Sequence, residues 1–129
     1  MTEIKKGKFP ENFYRVSIKA CVENEKGEFL MVNENGKGWG LPGGGMDFAD
    51  GGDVMTTLRR ELKEELGIEN ELEIEFWKIE TGYKEIEGVG GFWKMCVLYR
   101  VKILGEYEAK FGEDVSDMAW LPMERVEDF

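Results

Sequence analysis

Arg60-Glu61-Leu62-Lys63-Glu64-Glu65-Leu66-Gly67-Ile68 is the stretch whose reading decides the rest of the chain. On an α-helix, positions 61, 64 and 65 stand at i, i+3 and i+4, so three carboxylates crowd one face. Like charges at that spacing cost a helix a few tenths of a kcal/mol per pair. A hard divalent cation removes that cost, and Mg²⁺ takes oxygen ligands while keeping several of its waters. The same residues also suit an ordinary solvated helix face. Leu62 and Leu66 point the other way. With Met55 and Leu58 they form an apolar stripe, which predicts a helix from Val54 to Leu66. Asp53 is its expected N-cap and Gly67 its C-terminal glycine.

Working outward, Tyr14 to Val22 alternates and reads as a strand, and Glu28 to Asn33 reads as a second. The polar turn Glu23 to Gly27 between them predicts a hairpin. Asn35 to Gly45 (NGKGWGLPGGG) is a glycine-rich loop whose backbone must approach something closely or adopt positive φ. After the helix, Leu72 to Thr81, Phe92 to Leu104 and Val115 to Leu121 read as strands. The order strands, loop, helix, strands predicts an α/β (α+β) fold with a mixed sheet and the helix on one face. The segment Pro122 to Phe129 reads as a short terminal helix, so a second copy of the chain is an expected cover for the other sheet face.

The 129 residues fit one domain, 1–129, and a hydrophobic content of 42% argues against disorder. Net charge is −10, from 27 acidic and 17 basic residues, which disfavours a nucleic-acid polymer or an anionic membrane as partner. A polyphosphate substrate would then need a bridging cation. The sequence contains 0 histidines, so Ser-His-Asp and Cys-His catalysis and histidine zinc sites are excluded. Cys21 and Cys96 lie in apolar, strand-like runs and read as two buried thiols, with a disulfide left open. The start MTEIKKGKFPENF lacks the apolar run of a signal peptide, and no run is long enough to span a membrane. A cytoplasmic location is the expectation.

Helix and loop together make a site that neither makes alone. Leu41-Pro42-Gly43-Gly44-Gly45 follows a strand and precedes the acidic helix at short range. Such backbone supplies carbonyls to a metal or N–H groups to a phosphate. Here the sequence resembles the Nudix (MutT-like) hydrolases, whose box reads G-x₅-E-x₇-R-E-U-x-E-E-x-G-U, with U aliphatic. Residues 60–68 match its second half throughout. The approach Gly38-Trp39-Gly40-Leu41-Pro42-Gly43-Gly44-Gly45 and the late Ala119-Trp120-Leu121-Pro122 also resemble the family, so the likeness runs over nearly the whole chain.

The resemblance implies a Nudix-like fold, a mixed sheet sandwiched by helices (αβα), with the C-terminal helix short or missing. It implies Mg²⁺, or Mn²⁺, held by Glu61, Glu64, Glu65 and the carbonyl of Gly43. One of Glu61, Glu64 and Glu65, or a carboxylate elsewhere, would activate water, and Arg60 would orient a glutamate. Gly44 and Gly45 would meet the substrate. The implied reaction is hydrolysis of a phosphoanhydride in a nucleoside diphosphate-linked substrate, with nucleoside triphosphates or dinucleoside polyphosphates foremost. Tyr83 lies near where dinucleoside-polyphosphate enzymes carry a tyrosine. Glu113 and Asp114 occupy the region where some members add a carboxylate.

The first half of the box departs from the pattern. Gly52 stands where the family has glutamate, and Met46 where it has the opening glycine. Asp47, Asp50 or Asp53 are the available substitutes. That departure keeps a second reading open, a non-catalytic Nudix-like domain that binds a nucleotide or partner. A third is a structural domain whose acidic helix is merely solvated.

Overall fold

The computed structural model describes residues 14–88 and 90–126. The amino-terminal stretch read for a signal peptide and the last three residues of the expected terminal helix lie outside these. Among the described residues, seven strands form two sheets. Strands β1 (Tyr14–Val22), β4 (Gly43–Gly45), β5 (Leu72–Ile86) and β6 (Gly90–Ile103) make one, in the order β4-β1-β6-β5. Strands β2 (Glu28–Asn33), β3 (Trp39–Gly40) and β7 (Asp117–Pro122) make the other, in the order β3-β2-β7. Pairing is parallel between β1 and β6 and antiparallel elsewhere, so the fold is mixed. Helix α1 (Val54–Leu66) and the short α2 (Met123–Val126) complete it.

The expected hairpin of β1 and β2 is corrected. Each strand is central in a different sheet, and only an isolated bridge, Glu23 with Phe29, joins them. The reason lies in their composition. Ala20, Cys21 and Val22 are buried in succession, as are Phe29, Leu30, Met31 and Val32. A strand covered on both faces needs packing on each side, and two sheets provide it where a lone hairpin does not. Ile18, Ala20, Val22, Leu30 and Val32 meet Leu58, Leu62 and Leu66 of α1 in the main core. Their alternates Cys21, Phe29 and Met31 join Leu98 and Val126 of α2 in a second core. Both cysteines are free; Cys21 is buried and Cys96 half-buried. Burial pushes the Cys21 thiol up to about 12, which leaves it unreactive.

Strands β5 and β6 run longer than the residues suggested, pairing out to Ile86 with Gly90, with a bulge between Phe76 and Lys78. The glycine-rich loop also departs from expectation. It contains β3 and β4, because the triple glycine lies flat against Ser17, Ile18 and Lys19 of β1. A Cβ on Gly43, at φ 131°, would strike the Ile18 carbonyl oxygen, so only glycine allows this approach. No helix among the described residues is long and apolar enough to cross a membrane.

Candidate active site

Helix α1 begins where Asp53 accepts a hydrogen bond from the Thr56 N–H at 3.2 Å, the expected cap. Its apolar stripe seats Leu58, Leu62 and Leu66 at 0% exposure. That seating turns Glu61, Glu64 and Glu65 toward Gly43 and Gly44, and a cleft of about 550 Å³ opens between them. The segment before β7 closes its far wall. Lys110 N–H donates to the Leu66 carbonyl at 2.8 Å and Gly112 N–H to the Glu65 carbonyl at 3.0 Å, which brings Glu113 and Asp114 to the cleft. Asn35 Nδ2 donates to the Glu113 carbonyl at 2.7 Å from the facing loop, which also contributes Glu34 and Lys37.

The three glutamates differ in environment. Glu65 is 7% exposed and accepts the Gly43 N–H at 2.6 Å. Burial pushes its carboxyl up from 4.5 to about 7, the Gly43 bond opposing this. Glu61 is also pushed up, first by burial, with Arg60 lowering it. Its carboxylate lies against Gly44, so close that a Cβ there would stand 2.6 Å from Oε1. Glu64 is the open one, its side chain 58% exposed. Arg60 Nη1 donates to Glu61 Oε1 at 3.0 Å and to Glu64 Oε2 at 3.1 Å.

Of the three aspartates considered as substitutes, Asp50 is the one brought inward. A single 3₁₀ turn, Phe48–Asp50, buries it at 5% exposure. It accepts from Arg60 Nε at 2.8 Å, Arg60 Nη2 at 3.0 Å, Thr57 Oγ1 at 2.9 Å and the Asp47 N–H at 2.8 Å. The Arg60 bonds hold its carboxyl well below the usual carboxylate range. Asp47 is largely exposed and sits 3.5 Å from Arg60. Asp53 caps the helix.

Other expectations fare differently. Gly45 lies outside the cleft lining; its carbonyl accepts from Arg60 Nη2 at 3.1 Å. The Gly43 carbonyl accepts from Lys19 Nζ at 3.3 Å. Tyr83 does not line this cleft: it lies on β5, with β6 and β1 between it and β4, and packs edge-on against Trp93 at 5.3 Å. The linear distance from the box said nothing about strand order. Lys19, Glu34 and Lys37 were not foreseen. They sit on a strand and a loop with no motif, and only the approach of β4 to β1 and of the loop to α1 makes them neighbours.

Among the described residues, no three carboxylates gather closely enough to hold one ion as they stand. The donor chemistry nevertheless fits a hard cation. Six carboxylates face the cleft against one lysine, all the donors are oxygens, and two of the acids are already raised by burial. Glu61, Glu64 and Glu65 line this cleft with Gly43.

A NUDIX domain family model matches residues 13–129. The chain belongs to the Nudix hydrolase family. Solved Nudix structures share its fold. A MutT NUDIX hydrolase from Burkholderia pseudomallei is 23% identical with a TM-score of 0.69, the match covering 88% of this chain and 86% of that one. The NUDIX domain of Shewanella oneidensis NrtR, complexed with ADP ribose, is 20% identical with a TM-score of 0.68, over 95% and 83%. A C. elegans Ap4A hydrolase is 20% identical with a TM-score of 0.67, over 89% and 87%. No curated protein matches this Nudix chain by sequence.

Proposed function

We propose that this Nudix protein hydrolyses a phosphoanhydride bond in a nucleoside diphosphate-linked substrate, using Mg²⁺ or Mn²⁺ held by Glu61, Glu64 and Glu65 with the Gly43 carbonyl. The observation that carries this is the single cleft in which the acidic turn of α1 faces the glycine strand β4. When bound, such a cation neutralises phosphate charge and acidifies a water. The chain's own residues do the rest. Glu64, the open carboxylate, accepts the proton of the attacking water. Arg60 holds Glu61 and Glu64 in place through Nη1. Gly44, with no Cβ, lets the phosphate chain approach the backbone, and Lys37 offers it a positive charge within an otherwise acidic cleft. With no histidine to titrate, turnover holds or rises into alkaline pH.

A second groove, about 460 Å³, adjoins the glycine strand where Lys19 Nζ reaches the Leu41 and Gly43 carbonyls. Met31, Leu41, Trp77 and Leu98 line it with apolar surface suited to a base. This supports nucleotides as the substrate class, in keeping with the ADP ribose bound by the Shewanella domain and with an Ap4A hydrolase among the structural relatives. Release of phosphate or pyrophosphate from a panel of nucleoside triphosphates, dinucleoside polyphosphates and ADP-ribose, with Mg²⁺ or Mn²⁺ at alkaline pH, tests the reading. Glu64→Gln should lower turnover by roughly two to four orders of magnitude with the fold intact. Equal rates in that variant would refute the role given to Glu64. Gly52 in place of the box glutamate favours the non-catalytic alternative, and nucleotide binding without any release would select it.

A further inference from the structure

Arg60 stands between two sets of carboxylates, and its geometry decides how much of its charge each receives. Its Nε and Nη2 form a two-point fork on Asp50, at 2.8 and 3.0 Å. Its remaining nitrogen, Nη1, is shared by Glu61 and Glu64, one oxygen of each. The guanidinium is planar, so fixing Nε and Nη2 also fixes the direction of Nη1. Glu61 and Glu64 are therefore each touched once, from one side. We infer that Asp50 is a positioning residue that limits Arg60 to one contact each with Glu61 and Glu64, so that the other oxygen of each carboxylate stays available to a divalent cation. This rests on the cation reading above.

Asp50 is built for the task. Thr57 Oγ1 and the Asp47 N–H both bond its Oδ2, so it is held by a helix residue and by the backbone of its own turn. Gly51 and Gly52, at φ 67° and 75°, carry the chain from that turn to the Asp53 cap. A left-handed pair here needs glycine and leaves position 52 without a side chain. Without the Asp50 carboxylate, Nε loses its partner, and Nη2 keeps only the Gly45 carbonyl at 3.1 Å and the exposed Asp47 carboxylate at 3.5 Å. Glu61 and Glu64, on the same helix and already on Nη1, are closer in contact than Asp47. Arg60 would then take one of them by its fork, and a cation would have to displace it.

The experiment is Mn²⁺ binding, read by electron paramagnetic resonance of the free ion, on full-length wild type, Asp50→Asn, Arg60→Met and the double variant. Asp50→Asn should weaken Mn²⁺ roughly tenfold or more. In the Arg60→Met background most of that loss should vanish, because the effect passes through Arg60. A merely structural or long-range charge role predicts an undiminished loss in that background, and that result would overturn the inference. So would a folded Asp50→Asn protein that binds Mn²⁺ like wild type. Thr57→Val removes one tether of Asp50 while leaving every charge in place, and it carries the test if Asp50→Asn does not fold. A several-fold loss is expected for it, and unchanged affinity refutes the inference. Wild type that binds no Mn²⁺ overturns the cation reading itself and this inference with it.

Discussion

Replacing Glu65 by glutamine tests the electrostatics of the cleft without relying on any substrate. In the folded metal-free protein its carboxyl sits at about 7, against 4.5 when free in water, mainly through burial. The folded state thus binds this proton more tightly than the unfolded state. Stability contributed by the group is complete below about pH 4.5, falls as pH rises toward 7, and levels off above. At about 1.4 kcal/mol per pH unit, that interval corresponds to a loss of roughly 3 kcal/mol between the two plateaus. Glutamine keeps an oxygen to accept the Gly43 N–H, now 2.6 Å from Glu65 Oε1, and has no charge to desolvate. In EDTA, urea unfolding at about pH 4.5 should therefore give similar stabilities for the two proteins. At about pH 8 the Glu65→Gln protein should be the more stable, by up to roughly 3 kcal/mol. The difference between the proteins is the quantity to read, because the remaining acids of this chain, net charge −10, give both the same background. Adding Mg²⁺ at the higher pH should stabilise wild type more than the variant. A stability difference that stays flat from about pH 4.5 to 8 would refute the account of a desolvated, cation-ready Glu65.

Three further outcomes follow from the same structure. Leu62→Ala empties a site at 0% exposure beneath the acidic turn and should cost roughly 2–5 kcal/mol in chemical denaturation, with Mg²⁺ affinity falling as the turn loosens. Gly43→Ala drives a Cβ into the Ile18 carbonyl at a positive φ, so thermal melting should show a loss of at least roughly 1–3 kcal/mol. Tyr83→Ala, on the strand farthest from β4, should leave the kinetic constants for any substrate of the cleft unchanged; a rise in KM would return Tyr83 to the site.

Helix α1, its cap, its stop and its buried face were all legible in linear order, because a 3.6-residue period and local capping depend only on neighbours in the chain. The same holds for the acidic turn at 61, 64 and 65 and the glycine run beside it. The positions of β1, β2, β5, β6 and β7 were legible in outline, those of β3 and β4 within the glycine loop were not, and no strand's partners were. Pairing is set by which faces must be covered, and β1 and β2, each buried on both sides, went to separate sheets instead of to one another. Tyr83 shows the same limit, since its separation from the box along the chain carries no information about strand order. Tertiary structure alone chose Asp50 among three aspartates, because only the 3₁₀ turn and the glycine pair after it aim that carboxylate at Arg60. It also brought Lys19 to Gly43 and Glu113 to the cleft, contacts made through backbone pairing and loop docking, which have no local code.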